Sequence, residues 1–421
     1  MGRHYFRLSL TREAEPLKVL SSVYHGLAVE AHILELYSNA VGTFLAVAKK
    51  PYFIDPALYR LCEPLFLDAK EKRWAAELVE RYGLVEVIAE NEDGLMAELF
   101  ADGGKAPSNA TSVGIDTLVG QVLDYERGRV PEVGAGQALW DQLEGGKSIV
   151  SAEDFVPPEF LVVPYLQVTD GQILDLNAKL AASAVKQKKK GEKIAAVAPI
   201  PTDYLTQKTS LDKVISTYAA LDVDAILIWV ADFREWDEEL PLLEAFAHYI
   251  SDFRKAAPKA EVINLYGSFF STVLTGRSLL SASVQGVGIS EHKDPFAIGG
   301  GGVPRYYVPI SHQSVSSDFA SDMRQLNPTL FSCPCPECSV GNLPSQMNAA
   351  ALARHFIRTR STELKWSSSN SAPDIVKSLN DSAGMLKTVK GAVAGVADAH
   401  ARRLQVWAAV LAQLASDGTL S

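Results

Sequence analysis

The chain has 421 residues, 47% of them hydrophobic and 21% charged, with 29 glycines and 21 prolines, enough apolar material for a large core and unlike a disordered, collagen-like or coiled-coil chain. With 50 acidic against 40 basic residues the formal charge is −10, which argues against broad non-specific binding to nucleic acid while leaving a local basic patch open. No stretch approaches the roughly 20 uncharged apolar residues of a membrane span, and the charged opening MGRHYFRLSLTREAEPLKVL lacks the apolar region of a signal peptide. A cytoplasmic protein with no membrane partner is expected.

Short apolar, β-branched runs predict strands at Tyr5–Leu10, Tyr52–Ile54, Phe160–Val168, Ile194–Ile200, Ala225–Val230, Val262–Tyr266, Val287–Ser290 and Arg305–Ile310. Segments of helical period lie between them at Gly171–Lys190, Ser210–Leu221, Glu238–Ala257 and Ser271–Ser283. Near-continuous apolar strands imply burial on both faces, and about eight of them favour an α/β fold of the closed (β/α)8 TIM-barrel type over an open sheet. The barrel is expected to span residues 1–330. An excursion around 102–146, rich in Gly, Pro, Ser and Asn about one helix-like segment at Ile115–Arg127, reads as a lid or loop layer. The run Gly299–Gly302 follows a predicted strand end, where barrels place active sites, and is equally consistent with a solvated linker. It lacks the strand, glycine spacing and helix of a phosphate loop, so no nucleotide or flavin cradle is expected. A metal lobe at 331–366 and a helical tail at 367–421 complete the chain.

Cys62 stands alone, whereas Cys333, Cys335 and Cys338 form C-x-C-x-x-C within CPCPECS, and His355 follows 17 positions after Cys338 in a helical segment. Three thiolates and one imidazole make a closed tetrahedral Zn2+ site, a structural staple with no open position for catalysis. The alternative is three free thiols in a Pro-rich loop beside a surface histidine.

With this cluster the chain resembles the tRNA-guanine transglycosylase superfamily, in particular its archaeal-type and DNA-modifying branches, whose zinc motif has the same form near the end of a (β/α)8 barrel. The resemblance runs over about residues 50–365 and is clearest from Asn264 to the zinc helix. It implies a nucleic-acid base exchange in which guanine in tRNA or DNA is replaced by a 7-deazaguanine-type base. The layout NLYGSFFSTVLTGRSLLSASVQGVGISEHKD places Glu291 where the family carries its nucleophilic aspartate, with Ser290 in place of an aromatic residue. PYFIDPALY places Asp55 at the strand end where a second acid works, with Pro56 and Ala57 in place of a Ser-Gly pair. The family's appended RNA-binding domain is not recognisable in the Ala-rich tail, which keeps DNA in play as the polymer.

Base exchange needs one carboxylate to attack the anomeric carbon, giving a covalent glycosyl-enzyme, and another acid to handle protons. Asp55 and Glu291 form the candidate catalytic pair. Asp203 and Asp232 are strand-end acids that could bind a guanine-like base, or simply cap the next helix, and His292 and His312 flank the Gly-rich run as candidate substrate contacts or plain loop residues. Arg354, Arg358 and Arg360, with Lys365, Lys377, Lys387, Lys390, Arg402 and Arg403 in the tail, make the C-terminal part basic, either a phosphate-binding face or a solvated one. Two competing expectations stand beside the enzyme: a catalytically silent zinc barrel that binds nucleic acid or a partner protein in a modification or defence system, and a small-molecule barrel enzyme sharing only the staple. Partner proteins or a homodimer are compatible with each.

Overall fold

A computed structural model of the chain describes residues 2–8, 13–36, 38–59, 112–128, 156–287, 291, 293, 304–339 and 341–420. Eight parallel strands form one sheet: β1 (Arg3–Leu8), β2 (Gly26–Glu30), β3 (Tyr52–Asp55), β4 (Leu161–Val162), β5 (Ile194–Pro201), β6 (Ala225–Ala231), β7 (Glu261–Asn264) and β8 (Ala282–Gly286). Their order is β3-β2-β1-β8-β7-β6-β5-β4. A parallel bridge between Phe53 and Phe160 joins the two ends, and the Glu159 amide donates to the Tyr52 carbonyl at 2.7 Å. The sheet is thereby closed into the expected (β/α)8 barrel. β6, AILIWVA, is buried at every residue, as a strand packed on both faces must be.

Around the strands lie α1 (Ala14–Val19), α2 (Ala31–Leu36), α3 (Ser38–Ala48), α4 (Ser112–Gly128), α5 (Gly171–Lys186), α6 (Lys208–Ala219), α7 (Leu240–Ala256) and α8 (Phe269–Gly276). Local chemistry sets several of their ends. The Asp170 carboxylate caps α5 by accepting from the amides of Gln172 and Ile173 at 2.8 and 3.0 Å. At α8, which has no side-chain cap of its own, the buried Glu235 carboxylate accepts from the amides of Ser268 and Ser271 at 2.9 and 3.0 Å. An acid there complements the helix dipole.

After the barrel come an antiparallel hairpin of β9 (Arg305–Val308) and β10 (Gln313–Ser316), then α9 (Ser317–Leu326), α10 (Pro336–Ser339), α11 (Ala349–Ser369), α12 (Ala372–Leu386) and α13 (Ala394–Ser416). α12 and α13 pair as a helical hairpin, and α13 lies on α7. The Trp407 indole donates to the Glu235 carbonyl at 2.9 Å, so the tail is packed onto the barrel wall.

Four points need correction. β2 was not anticipated: GLAVE is five residues long and ends in a charge, too short a signal beside the longer runs. The eighth strand is Ala282–Gly286, upstream of Val287–Ser290, of which 288–290 lie outside the described residues. Its polar Ser283 and Gln285 hide it, yet both are buried, and Gln285 donates to the Ser268 carbonyl and Thr272 hydroxyl at 2.8 and 2.7 Å. Arg305–Val308 is a strand of the hairpin and not of the barrel, so eight was the right count for partly wrong members. The helix inside the 102–146 excursion is α4, whose Leu118, Val119, Val122 and Leu123 are fully buried. It packs on α5 and β4 as part of the barrel's outer layer, and the Glu126 carboxylate accepts from the Val162 amide at 2.8 Å.

Candidate metal centre and barrel mouth

The Cys-Pro-Cys-Pro turn is tightened by two amides, Cys338 and Ser339, both donating to the Cys335 carbonyl at 3.0 Å, which swings the third thiol back toward the first two. The Sγ atoms of Cys333, Cys335 and Cys338 lie 3.6, 3.3 and 3.5 Å from His355 Nδ1, and all four atoms fall within 4.8 Å of one another. The other ring nitrogen, His355 Nε2, is 2.7 Å from the Tyr307 carbonyl. That contact sets the tautomer with Nδ1 unprotonated toward the thiols, the outer-shell arrangement of metal-ligating histidines. The Tyr306 ring stacks on the imidazole at 4.3 Å between centroids. Hydrogen bonding with Cys335 and Cys338 drives the Cys333 thiol down to about 3, while the same mutual contacts push Cys338 up. The group can hold a metal ion.

A second dense cluster lies at the C-terminal ends of the strands, inside the barrel. Glu30 and Asp55 are register partners on β2 and β3, so both side chains leave the same face, and alternation along β1 puts Arg7 among them. Arg7 Nη1 reaches Glu30 Oε1 at 3.2 Å and Asp55 Oδ2 at 3.5 Å, and its Nη2 donates to the Leu265 carbonyl at 2.9 Å. The other Asp55 oxygen accepts from the Tyr165 hydroxyl at 2.9 Å and the Ala57 amide at 3.1 Å. Lys293 Nζ sits 2.8 Å from Glu30 Oε1. Aromatic rings wall the cluster: Tyr59 lies 4.9 Å from Trp229 and 5.6 Å from Tyr165, and Trp229 lies 5.6 Å from Tyr266. The Arg7 guanidinium stands 4.0 Å over the Tyr266 ring, whose buried hydroxyl has no hydrogen-bond partner among the described residues.

Burial by itself would favour neutral Arg7, but Tyr266, Glu30 and Asp55 more than offset it and hold the cation. Burial, and after it the Asp55 charge, push the Tyr165 hydroxyl well above its ordinary value, so Tyr165 stays a donor to Asp55. Two cations and two carboxylates thus face one another in a buried, aromatic-walled cluster, where each electrostatic contact is stronger than at a surface.

The residues singled out from sequence fall into separate places. Asp55 is in the mouth, but the Glu291 carboxylate is held by Arg360 of α11. Arg360 also donates to the Tyr307 hydroxyl at 2.7 Å and pairs with Glu363 at 3.0 Å, and His312 Nδ1 is 2.6 Å from Glu363. Glu291 and His312 therefore belong to one network and Asp55 to another. Burial raises the Glu291 pKa, whereas at Glu363 the opposing burial is overcome by Arg360 and His312 and the carboxyl is held below the usual range. His312 takes a left-handed conformation (φ 55°) and stacks on Phe269 at 3.7 Å. Asp203 is exposed and accepts from Gln207 at 3.1 Å. Asp232 is exposed with φ 57°, its amide donating to the Lys293 carbonyl at 3.2 Å. His292 and Gly299–Gly302 lie outside the described residues.

Sequence reasoning missed Arg7, Glu30, Lys293 and the four aromatic walls. A charge inside an apolar strand, as at Arg7 in RHYFRL, was the available signal. In the basic C-terminal part four of the five arginines are ion-paired within the chain: Arg360 with Glu291 and Glu363, Arg354 with Glu15 at 2.8 Å, Arg358 with Glu337 at 3.2 Å, and Arg402 with Asp398. Among the described residues no helix is long and apolar enough to cross a membrane. The chain matches no protein-family model, no curated protein and no solved structure, so the geometry of these two clusters carries the functional argument.

Proposed function

We propose that the chain is a zinc-stapled (β/α)8 enzyme that exchanges a base on a nucleic-acid sugar, replacing guanine in tRNA or DNA by a 7-deazaguanine-type base. The observation that carries this reading is the pair of neighbouring carboxylates, Glu30 and Asp55, at the C-terminal mouth of the barrel, where such barrels do their chemistry. Zinc suits the staple because soft thiolates with one imidazole favour it. With Zn–S about 2.3 Å and Zn–N about 2.0 Å a tetrahedral site separates S from N by about 3.5 Å, and the observed separations are 3.3 to 3.6 Å. Four protein ligands close the site, so its part is to hold α11 to the Cys loop.

In the reaction Asp55 attacks the anomeric carbon. Its oxygen forms the new C–O bond as the C–N bond to guanine breaks, and the proton the departing base requires passes from the Lys293 ammonium through Glu30, 2.8 Å away. Glu30 then passes a proton from the incoming base back to Lys293, and the nitrogen of that base attacks the same carbon and releases the Asp55 carboxylate. Each turnover exchanges one base for another with no net proton change. Tyr165 and Arg7 orient Asp55, and Lys293 orients Glu30. Asp55 replaces Glu291 as the candidate nucleophile because the Glu291 carboxylate belongs to the Arg360 network of α11, whereas Asp55 stands beside Glu30 in the mouth.

The test is incorporation of labelled guanine, and separately of a labelled 7-deazaguanine, into tRNA and duplex DNA by the purified, metal-assayed protein. Label in one polymer, a denaturation-resistant protein–polymer adduct, and loss of both in Asp55→Asn are expected. A metal-loaded protein that labels neither polymer would sink the enzyme reading. One observation favours a second reading, a silent barrel that binds nucleic acid or a partner: both mouth carboxylates already have internal cationic partners. Salt-sensitive polymer binding without label or adduct would select it.

A further inference from the structure

The buried network on α11 and the barrel mouth meet in one short stretch of chain. Arg360 is completely buried, its Nη2 on the Glu291 carboxylate and its Nη1 on Tyr307 and Glu363. Its guanidinium also stands 4.4 Å over the Tyr307 ring. Five residues earlier on the same helix, His355 donates to the carbonyl of that same Tyr307. Two residues beyond Glu291, Lys293 enters the mouth: its Nζ contacts Glu30, and it lies 5.6 and 5.4 Å from the Tyr59 and Tyr266 rings. The Lys293 carbonyl accepts from the Trp229 indole at 3.3 Å and the Asp232 amide at 3.2 Å. Lys293 lies outside the helices and strands, and besides these contacts of its own the Glu291–Arg360 ion pair, two residues away, is a buried anchor for this stretch.

We propose that Arg360 is a positioning residue: through Glu291 it pins Lys293 against Glu30, so that the helix carrying the metal-site histidine sets the charge lining of the barrel mouth. A buried ion pair suits this role, since such pairs add orientation more surely than stability. The guanidinium fork matters as well, because it engages Glu291, Tyr307 and Glu363 at once, which an ammonium on a flexible stem cannot reproduce. The inference concerns the mouth used in the proposed reaction, but its test reads one amine and not base exchange, so either can fail alone.

The experiment is acetylation of the full-length protein by acetic anhydride, with the rate at each lysine followed by peptide mass spectrometry. Lys188, 30% exposed and paired with Asp224 at 2.7 Å away from the mouth, reports general loosening. In the parent protein Lys293, with 9% of its side chain exposed, should be strongly protected. Glu291→Gln keeps Arg360 paired with Glu363 and is the gentler variant. Arg360→Met is the stronger one, and Arg360→Lys tests whether charge alone suffices. Lys293 should acetylate on the order of ten-fold faster in Glu291→Gln and in folded Arg360→Met, with Arg360→Lys between, while Lys188 is unchanged, as for a local opening. If Arg360→Met fails to fold, Glu291→Gln decides. A Lys293 rate within about two-fold of the parent in Glu291→Gln, or a rise at Lys188 equal to that at Lys293, would overturn the assignment.

Discussion

The metal lobe gathers its four ligand atoms from residues no more than 22 positions apart, whereas the barrel mouth joins Arg7 to the Leu265 carbonyl across 258 positions and Lys293 to Glu30 across 263. One is a local turn plus a helix; the other exists only once eight strands have closed. The difference also divides their energetics. The lobe is a ligand set that a single ion can organise, and would then be lost in one step, while the mouth is organised by mutual pairing of charges, each of which becomes a liability when its partner is removed.

Removing the ion should give the largest effect and test the first half of that contrast. Cys338→Ser, at a fully buried position, or chelation of the parent protein, should cost several kcal/mol, because structural metal binding is folding free energy. Thermal unfolding with metal analysis checks it, and an unchanged midpoint in metal-free protein would mean that the lobe is held by packing alone. Next comes Arg7→Met, which leaves Glu30 and Asp55 facing each other without their shared cation. About 3 to 5 kcal/mol of destabilisation is expected for breaking a buried pair, read from urea unfolding. A loss under about 1 kcal/mol would show that water reaches the carboxylates, as at exposed ion pairs.

The seam between the two regions offers a smaller effect. Burial, reinforced by the Arg360 charge, lowers the His4 pKa from 6.5 to about 3. A histidine whose folded value is depressed contributes stability that is present above 6.5 and declines as pH falls from 6.5 toward 3, because only the unfolded chain takes up the proton. Between pH 7 and pH 5 this amounts to about 2 kcal/mol. His400, lowered by burial to about 4, has the same sign, so His4→Gln should flatten the acid slope without abolishing it. Equal slopes in both proteins would refute the assignment to His4. Smallest of all, Arg354→Ala removes a pair to Glu15 whose carboxylate is 52% exposed. A change within about 1 kcal/mol is expected, and a larger one would mean that the second, 3.6 Å contact of Arg354 to the nearly buried Glu337 carries weight.

How far the fold could be read in advance follows the same division. β5, β6 and β7 were legible because their runs are apolar on both faces, and the closed barrel followed from the number of such runs. β8 was misplaced because Ser283 and Gln285 look like surface residues until the fold buries them and the start of α8 supplies partners for the Gln285 amide. β2 was lost to brevity. Of the candidate site, the Cys-x-Cys-x-x-Cys turn and His355 came together as anticipated, and Asp55 was placed at a strand end beside partners that no spacing announced. Glu291 went to a different partner because Arg360, 69 positions later, competes for it, and nothing along the chain ranks that contact above one with Asp55.

By itself, then, the sequence determined the α/β alternation, the barrel class and the Cys3His cluster that could hold a metal, since periodicity and short spacing are properties of neighbouring residues. Only the tertiary structure decided which charges share the mouth and which helix holds the segment that carries Lys293. Those depend on strand register and barrel closure, and register is a relation between distant segments fixed by burial of the strand faces and pairing of the strand edges, which no local pattern contains.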